Sequence, residues 1–114
     1  MIPVRQWDIV RFRIRPQDRD LRLGIVLSGD EWCASTHTTN LNVLACSKRV
    51  PSDQVKPHQV VLNGADGLEF QTTVDARFLY IIRKDGVSEV IGRVSQERRR
   101  LIGRRIIEVL RVLL

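Results

Sequence analysis

Val10, Phe12 and Ile14 alternate with Arg11, Arg13 and Arg15. Successive side chains of a strand point to opposite faces, so this alternation predicts a half-buried strand over 8–14. Pro16 and the polar residues up to Asp20 break it into a loop. The apolar, branched stretch 22–28 predicts a buried strand that stops at Gly29-Asp30. The polar run Ser35-Thr36-His37-Thr38-Thr39-Asn40 places an exposed loop over 30–40. A third strand follows at 41–47, then a loop over 50–57 bounded by Pro51 and Pro57. A short strand at 59–62 is closed by Asn63-Gly64-Ala65-Asp66-Gly67, a cluster of turn-forming residues. Residues 72–82 are β-branched and aromatic and form the longest strand, with a bend near Asp75-Ala76. Lys84-Asp85-Gly86 turns the chain, and 87–94 adds a short strand or a turn.

From Ser95 the period changes. Ser95 is placed to cap a helix, and Glu97 lies in its first turn, where negative charge suits the helix dipole. Ile102, Ile106, Val109, Leu110 and Leu113 fall at helical spacing and make an apolar stripe expected to pack on the sheet. Arg98, Arg99, Arg100, Arg104, Arg105 and Arg111 occupy much of the remaining surface. The expected fold is mainly β: a small SH3-like antiparallel barrel or curved sheet with a C-terminal α-helix, one domain over 1–114. A chain of 114 residues supports one modest core.

Composition narrows the chemistry. Hydrophobic residues are 43% of the chain, as in ordinary globular proteins. No apolar run is long enough to span a bilayer. Arg5 and Asp8 stand where a secretory leader would be apolar, so a cytoplasmic location is expected. Cys33 and Cys46 then read as reduced thiols. No CxxC or HExxH spacing marks a metal site and no glycine-rich phosphate loop marks a nucleotide cofactor, so none of either is expected. Lys plus Arg is 19 against 13 Asp plus Glu, a formal charge of +6, and 16 of the 19 are Arg. Arg grips phosphate through a planar, bidentate fork, so the balance points to a polyanionic partner. A genome that writes Arg for Lys would leave the same composition. His37 and His58 are isolated from one another in sequence. His37, in the more polar loop, is the better binding candidate, and His58 reads as an ordinary surface residue. Trp32 begins the same polar loop as His37 and either stacks on a nucleobase or folds onto the sheet.

Three segments recur in order in a known family. Trp7-Asp8-Ile9-Val10 enters the first strand, Arg22-Leu23-Gly24-Ile25-Val26-Leu27-Ser28 heads the second, and Val43-Leu44-Ala45-Cys46-Ser47 ends the third in a hydroxyl. Ile91-Gly92-Arg93-Val94-Ser95 leads into the final helix. In this order they resemble the MazF/PemK toxins, with Trp7 where that family has Gly and Leu23 where it has Pro. The resemblance spans almost the whole chain. It implies a toxin of a toxin–antitoxin system, a metal-independent endoribonuclease that cuts single-stranded mRNA through the ribose 2′-OH. It implies a homodimer and a cognate antitoxin with an acidic tail. By position it assigns Arg22 and Ser47 to the scissile phosphate. The local alternatives are an Arg22 ion pair with Asp18 or Asp20 and a turn-capping role for Ser47.

In some family members an Asp on the long strand is the general base. That register falls on Arg77, and Asp75 lies two residues earlier on the strand, so Asp75 is the candidate base and Asp18 the second. The first loop here is Gln17-Asp18-Arg19-Asp20, where the family commonly carries Gly-Ser-Glu-Gln. Asp18, Arg19, Trp32, His37 and Arg77 are the candidate RNA contacts. The missing Glu leaves open a non-catalytic module on the same fold, a passive RNA binder or a gyrase inhibitor as the related CcdB toxins are.

Overall fold

A computed structural model describes residues 1–47 and 55–111. Six strands run in the order β1 (Asp8–Phe12), β2 (Arg22–Val26), β3 (Asn40–Cys46), β4 (Gln59–Leu62), β5 (Thr72–Arg83) and β6 (Val87–Arg93). Two helices accompany them, α1 (Asp30–Ala34) and α2 (Gln96–Leu110). All strand pairs are antiparallel, and the sheet order is β4-β5-β3-β2-β1-β6. β4 and β6 are its free edges, so the architecture is an open curved sheet and not a closed barrel.

Alternation along the strands sorts the core into two clusters. Ile9, Ile25, Leu44, Val60, Leu62 and Val74 face one side, where Val94 and Ile102 cover them. Val10, Phe12, Val26, Leu41, Val43 and Ile82 face the other. Both sides of the central strands are therefore apolar, which the curvature of the sheet allows.

The expected strands all form, β4 with the expected bounds and the others with ends shifted by one or two residues. β1 stops at Phe12 because the Arg13 N–H leaves the ladder for the Gly86 carbonyl, at 2.9 Å. The bend expected near Asp75-Ala76 is a break in register, where β5 carries extra residues opposite Ala45. The segment 30–40, read as a loop, contains α1, a five-residue turn of helix. Its Asp30 and Glu31 favour a helix start, a signal outweighed in the sequence by the polar run that follows. Most of the expected loop at 50–57 and Leu113 lie outside the described residues.

The apolar stripe of α2 is only half used. Ile102 is fully buried and Ile106 packs on the core, but Val109 is 36% and Leu110 56% exposed. α2 packs on β4 and β5, and its last turn outruns the sheet it covers. Ser95 is the N-cap residue as expected, yet its side chain makes no cap bond. Its N–H instead donates to Asp66 Oδ1 at 2.9 Å, and Arg98 binds the other oxygen of this buried carboxylate. Arg98 and Arg99 are thus tied down, Arg99 through Nε to the Val94 carbonyl at 2.9 Å.

Trp7 has φ 75°, a left-handed backbone that favours glycine. Its N–H reaches the Val26 carbonyl at 2.7 Å and its carbonyl accepts from Val94 at 3.0 Å. The indole packs on the core. These contacts hold a bulky residue at a turn whose backbone suits the Gly of the resembling family.

Candidate functional site

Arg22 opens β2 and pairs with Phe12 of β1. Its side chain is exposed, and among the described residues it makes no ion pair or hydrogen bond. The alternative partner Asp18 is already taken: its carboxylate accepts from Arg15 Nε at 3.1 Å and from the Arg15 N–H at 3.1 Å. Gly24 pairs with Ala45 and Ile25 with Leu44. The ladder ends at Gly24 and Ala45; continued two residues further, its register would bring Arg22 level with Ser47. Both would then share the strand face of Gly24 and Ala45.

Ser47 is anchored through its backbone. Its N–H donates to the Thr73 carbonyl at 2.7 Å, and its own carbonyl accepts from the Thr72 hydroxyl. No hydrogen bond occupies the Ser47 hydroxyl among the described residues. The guanidinium heads β2 and the hydroxyl directly follows β3 on the neighbouring strand.

The β5 break builds a second cluster beside this pair. Asp75 is 1% exposed. Its carboxylate accepts from the Arg77 N–H at 2.9 Å, Arg77 Nε at 3.1 Å and Arg77 Nη2 at 3.0 Å. His58 Nε2 lies 3.3 Å from Asp75 Oδ2, close enough for attraction but not aligned as a hydrogen bond. Burial pushes the Asp75 carboxyl up. Hydrogen bonds from the Arg77 side chain and backbone, with the charges of His58 and Arg77, outweigh it and hold the group below the usual carboxylate range. A carboxylate so engaged is a weak proton acceptor. Its evident work is to fix the Arg77 guanidinium, whose Cζ sits 5.3 Å from the centre of the Phe78 ring.

Ser47 contacts Thr73, two residues before Asp75 on β5. One strand spacing and two residues along the strand give a backbone separation of roughly 8 Å. Arg22, Ser47, Asp75 and Arg77 thus belong to one region of the sheet. Arg19 is exposed in the loop after β1, next to the engaged Asp18.

Trp32 and His37 are not brought into this region. They lie between the end of β2 and the start of β3, whereas Arg22 starts β2 and Ser47 follows β3. Trp32 is 49% exposed, and its indole N–H donates to the Asn40 carbonyl at 2.6 Å. Lys84 is buried beneath this loop and donates to the Trp32 and Ser35 carbonyls, both at 2.8 Å, and to the Thr38 hydroxyl at 2.7 Å.

His58 and Phe78 were missed as site residues. His58 is remote from Asp75 in sequence, and only the pairing of Gln59 with Asp75 makes them neighbours. Phe78 reads as one more apolar strand residue, yet it is 50% exposed. Desolvation pushes the Cys46 thiol up to about 12, which disfavours the reactive thiolate. Among the described residues no group of three or more His, Cys, Asp or Glu is placed to hold a metal. No helix among them is long and apolar enough to cross a membrane.

No protein-family model and no curated protein matches this sequence. Solved structures do match its fold. An endoribonuclease from a mycobacterial species superimposes with a TM-score of 0.77 at 15% identity, covering 100% of this chain and 97% of that one. A mycobacterial endoribonuclease in complex with its cognate antitoxin gives 0.77 at 14% identity, covering 97% and 98%. The Mycobacterium tuberculosis toxin MazF-mt6 gives 0.74 at 16% identity, covering 94% and 99%. The chain shares the fold of these three proteins over essentially its whole length.

Proposed function

We infer that this chain is an endoribonuclease toxin of the MazF type, acting on single-stranded RNA. The observation that carries the reading is the Arg22 guanidinium, without an ion pair or hydrogen bond among the described residues, close beyond the Gly24–Ala45 pair that Ser47 follows by two residues. The shared fold supports it, as does the agreement with the order of the sequence segments.

The chemistry follows from the two groups. The ribose 2′-oxygen attacks the adjacent phosphorus and gives up its proton, the bond from phosphorus to the 5′-oxygen breaks, and that oxygen takes up a proton. The products are a 2′,3′-cyclic phosphate and a 5′-hydroxyl. Negative charge grows on the non-bridging oxygens as the new bond forms. Arg22 neutralises it with paired N–H donors, and the Ser47 hydroxyl holds one oxygen. The RNA supplies its own nucleophile, so DNA is not a substrate. The active species is a homodimer. Its partner is an antitoxin that presents acidic residues to the Arg-rich surface.

One observation favours a passive RNA-binding module instead. Asp75, the candidate base, is already held by Arg77 and approached by His58. Incubating a long RNA with the purified chain in EDTA separates the two readings. The enzyme reading expects fragments ending in 2′,3′-cyclic phosphate, resistance when the ribose at the cut is 2′-deoxy, and a loss of rate of about 100-fold or more in Arg22→Ala. Intact RNA, or equal rates for wild type and Arg22→Ala, overturns it.

A further inference from the structure

We propose that Arg77 and Phe78 form a stacking step for a nucleobase of single-stranded RNA, next to the phosphate held by Arg22 and Ser47. The proposal rests on the RNA reading above and names the subsite that reading lacks.

Phe78 is a large apolar side chain left 50% exposed on β5. Leu44 pairs with Leu79, so Phe78 falls beside Ala45, where β5 breaks register. Ala45 is small and precedes Ser47 by two residues on the same strand face. One strand spacing and two residues along the strand put the backbones of Phe78 and Ser47 roughly 8 Å apart, a span one nucleotide covers.

Arg77 makes the ring more than a bare apolar spot. Its guanidinium lies 5.3 Å from the ring centre, and Asp75 fixes its plane through Nε and Nη2. Asp75 itself is buried and ionised, with His58 against its other flank. A guanidinium already ordered in its stacking plane loses little freedom when a base settles on it. Bases stack on aromatic rings and on Arg planes regardless of sequence, and the Arg charge favours a polyanion. Trp32, the aromatic side chain that sequence alone put forward for this task, sits at the other end of β2 and has its indole N–H committed to Asn40.

The test is binding of a fluorescein-labelled single-stranded oligonucleotide of 2′-deoxyribose, which cannot be cut by 2′-OH attack. An abasic oligonucleotide of equal length serves as a second probe. Phe78→Ala is expected to bind the full oligonucleotide about 5- to 150-fold more weakly than wild type. It should bind the abasic one equally well. Phe78→Trp should restore binding and show ring fluorescence quenched by the oligonucleotide, whereas Phe78→Leu should not rescue. Unchanged binding in Phe78→Ala together with weakened binding in Arg22→Ala overturns the stacking step and leaves the RNA reading standing. A smaller particle by light scattering in Phe78→Ala, with RNA affinity unchanged, overturns it in favour of an interface between copies of the chain. Failure of the wild-type chain both to bind and to cut RNA overturns the stacking step and the RNA reading together.

Discussion

Asp75→Asn separates the charge of this side chain from its shape. The Asn oxygen can still accept the Arg77 N–H, now at 2.9 Å. What disappears is the ionic hold on Arg77 Nε and Nη2 and the attraction to His58 at 3.3 Å. Hydrogen bonds to a charged group contribute about 1.5–3 kcal/mol when shielded. The Arg77 side chain is 46% exposed, so solvent screening brings the ion pair to the low end of that range or below it. The carboxylate is 2% exposed, and turning an amide NH2 toward donors in that buried position adds about 1 kcal/mol more.

A loss near 2 kcal/mol is expected at about pH 7, read as a lower midpoint of urea unfolding followed by circular dichroism. The sign of its pH dependence is fixed by the lowered carboxyl value. A group whose folded value lies below its unfolded one contributes stability above the unfolded value, and that contribution is lost as pH falls through the folded value. The gap between wild type and Asp75→Asn should therefore be full at neutral pH. It should close in acid, below the ordinary Asp value of about 4. A gap that stays constant down to about pH 2 would mean that shape, not charge, is at stake. No gap at neutral pH would refute the role given to the carboxylate.

Gly24→Ala should destabilise the sheet by about 1–3 kcal/mol, because the new Cβ would meet Phe12 Cε1 at 2.8 Å and the Leu44 carbonyl oxygen at 2.9 Å. Thermal unfolding checks it, and an unchanged midpoint would contradict the packing. Lys84→Met removes three charged donor contacts to Trp32, Ser35 and Thr38, so amide exchange over 30–39 should quicken while β3 stays protected. Equal protection of that loop in both proteins would show that Lys84 does not hold it. Light scattering should give about twice 13.1 kDa, since Leu79, Ile81, Ile107 and Leu110 leave apolar surface exposed. A mass near 13.1 kDa at every concentration would remove the dimer from the proposal.

The alternation of Val10, Phe12 and Ile14, the turn residues 63–67 and the change of period at Ser95 each report a local preference, and each yielded its element. The order of the short segments also pointed to Arg22 and Ser47, which lie just beyond the last pair of the β2–β3 ladder, Gly24 with Ala45. The fate of the helix stripe was different. Helical spacing marks which residues share a face, but it cannot say how far the sheet beneath extends, so Val109 and Leu110 remain exposed. The Asp75 side chain shows the same limit. Its sequence position made it the candidate base, but the sequence does not show that its carboxylate binds Arg77. Its partners were decided by the pairing of β4 with β5 and by the extra residues in β5 opposite Ala45. Local propensity acts over a few neighbouring residues, so the chain alone determined strands, turns and the terminal helix. The approach of His58 to Asp75 and the exposure of Phe78 arise between strands distant in sequence, and only the folded sheet brings such positions together.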